Sequence, residues 1–352
     1  MKWSLMYRPE PIERHAAEPV DRSVPPRQAA ARLRDGGVLM VTDHYSTGAE
    51  ILAQLASIDR PPPDHAGYQA RQEFQRRHRL AALRLLAPIK NHRLALVDAR
   101  PIGFLEELYP EVSDFVLPFL VVQELHGAWI RYQQGTHLAV LGHRVHPFFG
   151  TYVPTRTSHL ELFGTWMSQY KGAKGQAVDV GTGCGVLALM LAKAGFERVL
   201  ATDSNPNAIE SVKRQLERLP TTPSIELAHG DLLCETDSPA DLIVFNPPWI
   251  YGQVEDLLDQ ALYFEEGLFE RFFQQAAAHL KSDGRVVIVF SNVNQLVQPH
   301  VPHPILAEIE RGRFSLVQKL QRKVKPTPGK GGVRRRTKEK VEVWELAKVQ
   351  ND

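Results

Sequence analysis

From Ala177 onward, short apolar runs alternate with segments of helical periodicity, and this restricts the possible folds more than anything else in the 352 residues. Ala177–Val180 reads as a strand, Val186–Ala194 as a helix, Arg198–Thr202 as a strand and Asn207–Leu219 as a helix with Pro206 suited to its first turn. Strands Ser224–Ala228 and Leu242–Phe245 follow, then a helix from about Leu258 to Leu280 and a strand Arg285–Phe290. A βα repeat predicts an α/β fold with a doubly wound, mainly parallel sheet, because parallel strands need crossover connections that cover both faces. Phe314–Val324 and Val341–Val349 read as two strands with no helix between them, which adds a C-terminal antiparallel hairpin at one edge. Before the first strand, Ser158 and Glu161 have capping-box spacing and open a helix to about Tyr170, with Leu160, Leu162, Phe163 and Trp166 as its apolar residues.

The first half has a different texture. Residues 1–30, rich in Pro, Arg and Glu with little periodicity, read as an extended surface arm. Gly37–Thr42 reads as a strand and Ala49–Ile58 as a helix; after the breaker Pro61–Pro63, Tyr68–Leu86 reads as an amphipathic helix with a solvated basic face. Strands are expected at Leu94–Val97, Phe115–Val122, Ala128–Tyr132 and His137–Leu141, with Gln133–Gly135 as a hairpin turn. The expected organisation is an arm over 1–30, a smaller α+β accessory or substrate-recognition domain over 31–150, and the sheet domain over 151–352.

Composition closes off several classes. With 43% hydrophobic and 23% charged residues the chain can bury a sizeable core, and a net charge of +2 does not by itself call for a polyanionic partner. No apolar run approaches the roughly 18 residues of a membrane span, and the N-terminal stretch is too short for a signal peptide, so no membrane association and a cytoplasmic location are expected. Cys184 and Cys234 lack zinc-ligand spacing, and His143 and His146 have no carboxylate or cysteine partner nearby in sequence; no metal is expected.

Four motifs fall where strands end. Asp179 to Gly185 turns the first parallel strand into its helix; Gly181, Gly183 and Gly185 let backbone N–H groups approach a nucleotide-like cofactor. A dinucleotide fingerprint needs glycine at its sixth position, where this chain has Val186, which argues against NAD. Asp203 ends the second strand, where a carboxylate can accept both ribose hydroxyls. Asp231 follows the third, where it can accept from an adenine amino group or cap a turn. Asn246, Pro247, Pro248 and Trp249 end the fourth: the Asn246 side-chain oxygen and the Pro247 carbonyl can accept the two hydrogens of a substrate amino group while Trp249 stacks on the plane that carries it.

At these motifs the chain resembles the class I S-adenosyl-L-methionine-dependent methyltransferases, in particular their Asn-Pro-Pro-aromatic N-methyltransferase branch. Within it the chain is similar to the glutamine-N5 methyltransferases of release factors and ribosomal proteins and to the ribosomal-RNA guanine-N2 methyltransferases. The resemblance spans roughly residues 150–350 and implies a seven-stranded sheet and S-adenosyl-L-methionine as cofactor. It also implies that Asp179 with Gly181, Thr182, Gly183 and Gly185 holds the methionine end, Asp203 with neighbouring Ser204 the ribose, Asp231 and Leu232 the adenine, and Asn246 to Trp249 the target nitrogen. Trp249 stands where the glutamine enzymes usually carry tyrosine. The activity implied is methyl transfer to a planar amide or exocyclic amino nitrogen of a macromolecule, an rRNA base or a protein glutamine. Two alternatives are a methyltransferase-like protein that binds RNA or the ribosome without turnover, disfavoured by the intact Asn246–Trp249, and an NAD-type oxidoreductase, disfavoured by the glycine spacing. The last hairpin carries Lys319, Arg322, Lys323, Lys325, Lys330, Arg334, Arg335, Arg336, Lys338 and Lys340, an electrostatic footprint for phosphates that prefers RNA or ribosome contact, through Arg334, Arg335 and Arg336, to free protein.

Overall fold

The computed structural model describes residues 6–12, 17–63, 67–221, 223–234, 236, 238–253, 259–324 and 338–350. It divides into two compact units, Met1–Gln133 and Gln134–Asp352.

The first unit runs β1 (Glu18–Val20), α1 (Pro26–Arg34), β2 (Leu39–Val41), α2 (Tyr45–Ile58), α3 (Gly67–Ala82), β3 (Leu85–Lys90), β4 (Arg93–Leu94), α4 (Phe104–Leu108), β5 (Phe115–Pro118) and α5 (Phe119–Gln134). Its sheet has the order β1-β2-β3-β4 with β5 also on β3; β1, β2 and β3 are parallel, and β4 and β5 run antiparallel to β3. Three expectations fail here. The described residues of the expected surface arm are built into the unit: Val20 is buried in β1, the Ile12 N–H donates to Val116 O at 2.8 Å, and the Tyr109 hydroxyl donates to Pro9 O at 2.6 Å. Backbone pairing of so short a strand leaves no hydrophobic period to read. The strands expected over Phe119–Val122 and Ala128–Tyr132 are one helix, α5, because Phe119, Val122 and Leu125 bury a helical stripe that overrides the β-branched composition. Gly135, at φ +65°, is its left-handed cap, not a hairpin turn.

The second unit adds β6 (Thr136–Leu138), β7 (His143–Val145), α6 (Ser158–Gln169), β8 (Gln176–Val180), α7 (Val186–Lys193), β9 (Arg198–Asp203), α8 (Pro206–Arg218), β10 (Ile225–His229), β11 (Ala240–Phe245), β12 (Ile250–Tyr251), β13 (Tyr263–Phe264), α9 (Leu268–His279), β14 (Leu280–Ser291), α10 (Val293–Val297), α11 (Pro304–Arg311), β15 (Phe314–Lys323) and β16 (Lys340–Lys348). Its seven strands lie in the order β10-β9-β8-β11-β14-β16-β15, the first five parallel and β16 antiparallel to both neighbours. Alternate residues of β11 feed two cores: Leu242 and Val244 pack with Phe163, Trp166 and Leu191 on one face, Ile243 and Phe245 with Phe269, Phe272 and Phe273 on the other. Burial of a side chain such as Phe272 contributes about 1.5–3 kcal/mol, so truncating either face of β11 destabilises the strand that carries Asn246. The helix expected from Leu258 starts only at Leu268, after Gly267 at φ +83°. The N-cap of α6 is Thr157, one residue before the expected Ser158.

Residues 134–150, expected in the first domain, belong to this unit for a reason visible on α8. Asn207, Ser211 and Gln215, spaced i, i+4, i+8, are buried polar residues on one face of the helix. Asn207 Nδ2 donates to Phe149 O at 2.9 Å, Ser211 Oγ accepts from the Phe148 N–H at 3.1 Å, and Gln215 Oε1 accepts from the His146 N–H at 3.0 Å. The segment has few regular backbone partners, and this stripe supplies them.

Candidate active site

Register brings the four motifs to one edge. Phe245, Val180, Thr202 and Ala228 are mutual partners across β11, β8, β9 and β10, so Asn246, Gly181, Asp203 and His229 form the next row, at the carboxyl ends of the parallel strands. Ligands bind at this carboxyl edge of open α/β sheets.

The loop after β8 is held by two carboxylates. Asp179 is buried; its Oδ2 accepts from Thr182 Oγ1 at 2.7 Å and from the Ala188 N–H at 2.9 Å, while Oδ1 is buried without a partner. Burial pushes its carboxyl up to about 7, against these two hydrogen bonds, with the negative charge of Asp203 adding to the rise. Gly181, Gly183 and Gly185 have φ of +65°, +55° and +81°, and a Cβ on Gly185 would stand 3.0 Å from Val212 Cγ2. Any other residue there adopts a left-handed conformation at about 1–2 kcal/mol each. The Gly183 N–H donates to Asp203 Oδ2 at 2.8 Å, and the Asn205 N–H to Asp203 Oδ1 at 2.8 Å. Burial raises the Asp203 carboxyl above the usual range. Each of its oxygens keeps a second lone pair for a ligand. Ser204 is exposed, and its backbone oxygen is 3.1 Å from His229 Nε2.

After β10, the exposed Asp231 lies 3.5 Å from an Arg271 guanidinium nitrogen. Leu232 is buried at φ +52°, held there by the Thr202 hydroxyl, which donates to its carbonyl at 2.6 Å. After β11, the half-buried Trp249 donates its indole N–H to Asn246 Oδ1 at 3.1 Å and packs against the cores of both sheet faces. Its ring meets His159 edge to face, with centroids 5.3 Å apart and planes at 90°. His159 is buried and pushed down to about 4 by that burial, so it is neutral at physiological pH. The indole is thus engaged on its N–H and by His159, and Asn246 Oδ1 has one lone pair left for an acceptor.

Sequence reasoning missed His159, although it shares a helical stripe with Leu162, Phe163 and Trp166 and was readable as a polar member of that face. It also missed α10, whose Asn294 and Gln298 grip Tyr251 (Asn294 Oδ1 accepts from its N–H at 2.9 Å, Gln298 Nε2 donates to its carbonyl at 2.6 Å). Of the hairpin cations, Lys319 pairs with Glu342 at 2.8 Å and Arg322 with Glu161 at 3.0 Å, so these two are engaged within the unit. Lys325, Lys330, Arg334, Arg335 and Arg336 lie outside the described residues. Among the described residues, no group of three His, Cys, Asp or Glu is placed to hold a metal ion, and no helix is long and apolar enough to cross a membrane.

The strand order, the antiparallel β16 between β14 and β15, and the glycine loop after β8 make the second unit a class I methyltransferase fold. Residues 161–305 match the family of the methyltransferase small domain. The chain is 36% identical over 80 residues to the ribosomal protein L11 methyltransferase of Clostridium perfringens, covering 23% of this chain and 25% of that one. It is 26% identical over 123 residues to a Methanocaldococcus jannaschii protein that carries the name protein N5-glutamine methyltransferase, covering 33% and 61%. The chain thus spans about a quarter of the length of the L11 methyltransferase it matches. A solved ribosomal protein L11 methylase from Lactobacillus delbrueckii subsp. bulgaricus aligns at TM-score 0.39 with 21% identity, over 57% of this chain and 82% of that one.

Proposed function

We propose that the protein is an S-adenosyl-L-methionine-dependent N-methyltransferase whose acceptor is a planar amide or exocyclic amino nitrogen of a macromolecule. The observation that carries this reading is the single row of Gly181, Asp203 and Asn246 at the carboxyl ends of three neighbouring parallel strands. The residues present fit the donor. Asp179 Oδ1 is a buried acceptor without a partner, suited to an ammonium group; the left-handed glycines leave the loop open to close approach; and the free lone pairs of Asp203 suit a pair of hydroxyls. When bound, the donor supplies an electrophilic methyl group on a sulfonium.

The protein's part is positioning. An amide or aryl amine is a poor nucleophile because its lone pair is delocalised, so holding it against the methyl group supplies much of the rate. Asn246 Oδ1 and the Pro247 carbonyl accept its two N–H groups, and these hydrogen bonds strengthen as positive charge develops on nitrogen. Trp249 covers the plane of the acceptor. Asp231 and Leu232 border the adenine. The experiment is transfer of labelled methyl to fractionated ribosomal RNA, ribosomal proteins and soluble protein; no incorporation into any fraction by a protein that binds the donor leaves only the binding-protein reading.

Asp179 gives the donor site a pH signature. Because its carboxyl sits at about 7, a bound ammonium draws off a proton, so donor affinity is level above about 7 and falls as pH drops through that value. Calorimetry in buffers of different ionisation enthalpy measures the released proton; an affinity flat from roughly pH 6 to 8 removes Asp179 from the ammonium site. The sign for folding is opposite. The folded chain without donor holds a proton that the unfolded chain gives up at 3.8, so stability falls as pH rises from 3.8 to about 7.

The basic hairpin supports an RNA or ribosomal acceptor. Replacing Arg334, Arg335 and Arg336 together by Gln should lower the slope of log affinity for that acceptor against log salt by about 2, with donor affinity unchanged. An unaltered slope on protein-free ribosomal RNA makes the hairpin a solvated loop.

A further inference from the structure

In the first unit, the arginine-rich helix α3 does not simply face water. Phe74, Arg77, His78 and Ala81, spaced i, i+3, i+4 and i+7, share one helical stripe, and with Arg84 just past the helix they line a cleft of about 330 Å³. Helix α1 contributes Arg34 from its last turn, and α2 its C-cap Asp59. Elsewhere in this unit arginines are matched by carboxylates: Arg32 with Glu18, Arg79 with Glu124 and Arg22 with Asp43. The cleft is balanced differently. Three guanidiniums share it with one carboxylate, and Asp59 Oδ2 is already engaged by His78 Nδ1 at 2.9 Å. Arg84 Nη1 donates to Leu33 O at 3.1 Å, Arg34 Nε donates to the exposed Asp35 at 3.2 Å, and Arg77 is exposed. A guanidinium has several N–H donors, so most of those in the cleft are open to an anion. Holding like charges together is unfavourable, and an anion between them offsets that cost. The Phe74 ring lies nearly parallel to the His78 imidazole, with centroids 6.0 Å apart and planes at 16°, and the neighbouring Leu80 is exposed. One cleft thus combines a cationic group of side chains with a flat apolar one.

We propose that this cleft binds a nucleotide, its phosphate on Arg34, Arg77 and Arg84 and its base against Phe74. Guanidinium forks match phosphate oxygens two at a time, and an aromatic ring stacks on any base without reading which base it is. The size agrees, since the volume suits a small organic ligand rather than a bare ion. A peptide carboxylate satisfies the cations but leaves Phe74 and Leu80 in water, and a wholly apolar ligand buries the guanidiniums unpaired. The site is made of residues 34–84 alone, so it stands apart from the motifs of the second unit and does not depend on the methyltransferase reading. Phosphate and base are the same chemistry whether they belong to a free nucleotide or to one residue of a single strand.

Calorimetry on the full chain tests this with uridine 5′-monophosphate, uridine, inorganic phosphate and a short oligouridylate. S-adenosyl-L-methionine is kept in excess to fill its own site, and uracil keeps adenine recognition out of the result. The monophosphate should bind at one site, at least about tenfold more tightly than uridine or phosphate alone. Arg34→Gln together with Arg77→Gln changes two exposed side chains and leaves the bond of Arg84 to Leu33 in place. This double variant should bind the monophosphate about tenfold to a hundredfold more weakly, with donor affinity and melting temperature unchanged. Phe74→Leu should weaken the nucleotide by about tenfold and inorganic phosphate hardly at all. An oligouridylate that binds more tightly than the monophosphate, and loses that advantage in the double variant, marks the ligand as one residue of a strand; otherwise the ligand is the free nucleotide. Affinity untouched in the double variant, phosphate bound as tightly as the nucleotide, or loss only on replacing Arg334, Arg335 and Arg336 overturns the assignment. Absence of binding to every probe by the unaltered protein overturns it as well, and leaves the methyl-transfer reading as it was.

Discussion

Asn246→Ala should lower methyl transfer by about 10²–10³-fold while donor affinity changes less than about twofold, because the lost oxygen acts on the acceptor nitrogen as charge develops there. The side chain has a second partner, since Trp249 donates its indole N–H to Asn246 Oδ1 at 3.1 Å. Two mechanisms therefore predict loss of activity: a missing acceptor for the substrate amine, or a Trp249 set free. Trp249→Phe separates them by deleting the N–H while keeping an aromatic plane against His159. If Asn246 acts on substrate, Trp249→Phe costs less than about tenfold; equal losses in the two variants reduce Asn246 to a brace for the indole. Parallel collapse of donor affinity in a folded Asn246→Ala protein contradicts its placement in the row beyond β11.

Asp203→Ala should weaken donor binding by about 1.5–3 kcal/mol, roughly tenfold to more than a hundredfold, through loss of charge-assisted hydrogen bonds. In the absence of donor, its two oxygens accept from the N–H groups of Gly183 and Asn205 at 2.8 Å each, so the carboxylate also sets the shape of the glycine loop. Its burial, which raises its own pKa, is unfavourable to the ionised form. Removing it therefore exchanges lost loop hydrogen bonds for a relieved buried charge, and the melting temperature should move little compared with the affinity. Calorimetry and thermal unfolding on the same variant decide the point. A protein that loses stability but keeps its donor affinity uses Asp203 only to hold the loop.

The βα half was legible because its signals are local and redundant. Asn246 with two prolines stops a strand unambiguously, glycines at 181, 183 and 185 accept left-handed backbone, and Pro206 opens α8 in sequence as in structure, where the Asn205 side chain accepts from the Asn207 N–H. What was lost depended on partners far along the chain. Val121, Val122 and Ile130 favour a strand one residue at a time, yet the buried spacing of Phe119, Val122 and Leu125 is helical. The boundary near residue 134 was hidden because the polar residues that bind 146–149 sit on α8, where they resemble an ordinary solvated stripe. At the site, the strand-end motifs were readable by position, whereas the contact of Trp249 with His159 and the grip of α10 on Tyr251 arise only when α6, β11 and β14 are brought together.

The position of β16 has a consequence for synthesis. β16 lies between β14 and β15, pairing Val286 with Leu346 and Ile288 with Trp344, so an inner strand of the sheet is the last of its seven strands to be translated. A nascent chain that has emerged through β14 already holds the residues of the glycine loop, Asp203 and Asn246, but the edge of β14 remains an open row of amides and carbonyls flanked by Val286, Ile288 and Phe290. Such an edge invites pairing with other emerging chains until residues 340–348 arrive to cover it. The yield of native protein should therefore respond to translation speed and to chaperones between β14 and β16, more than to conditions that act on the finished fold.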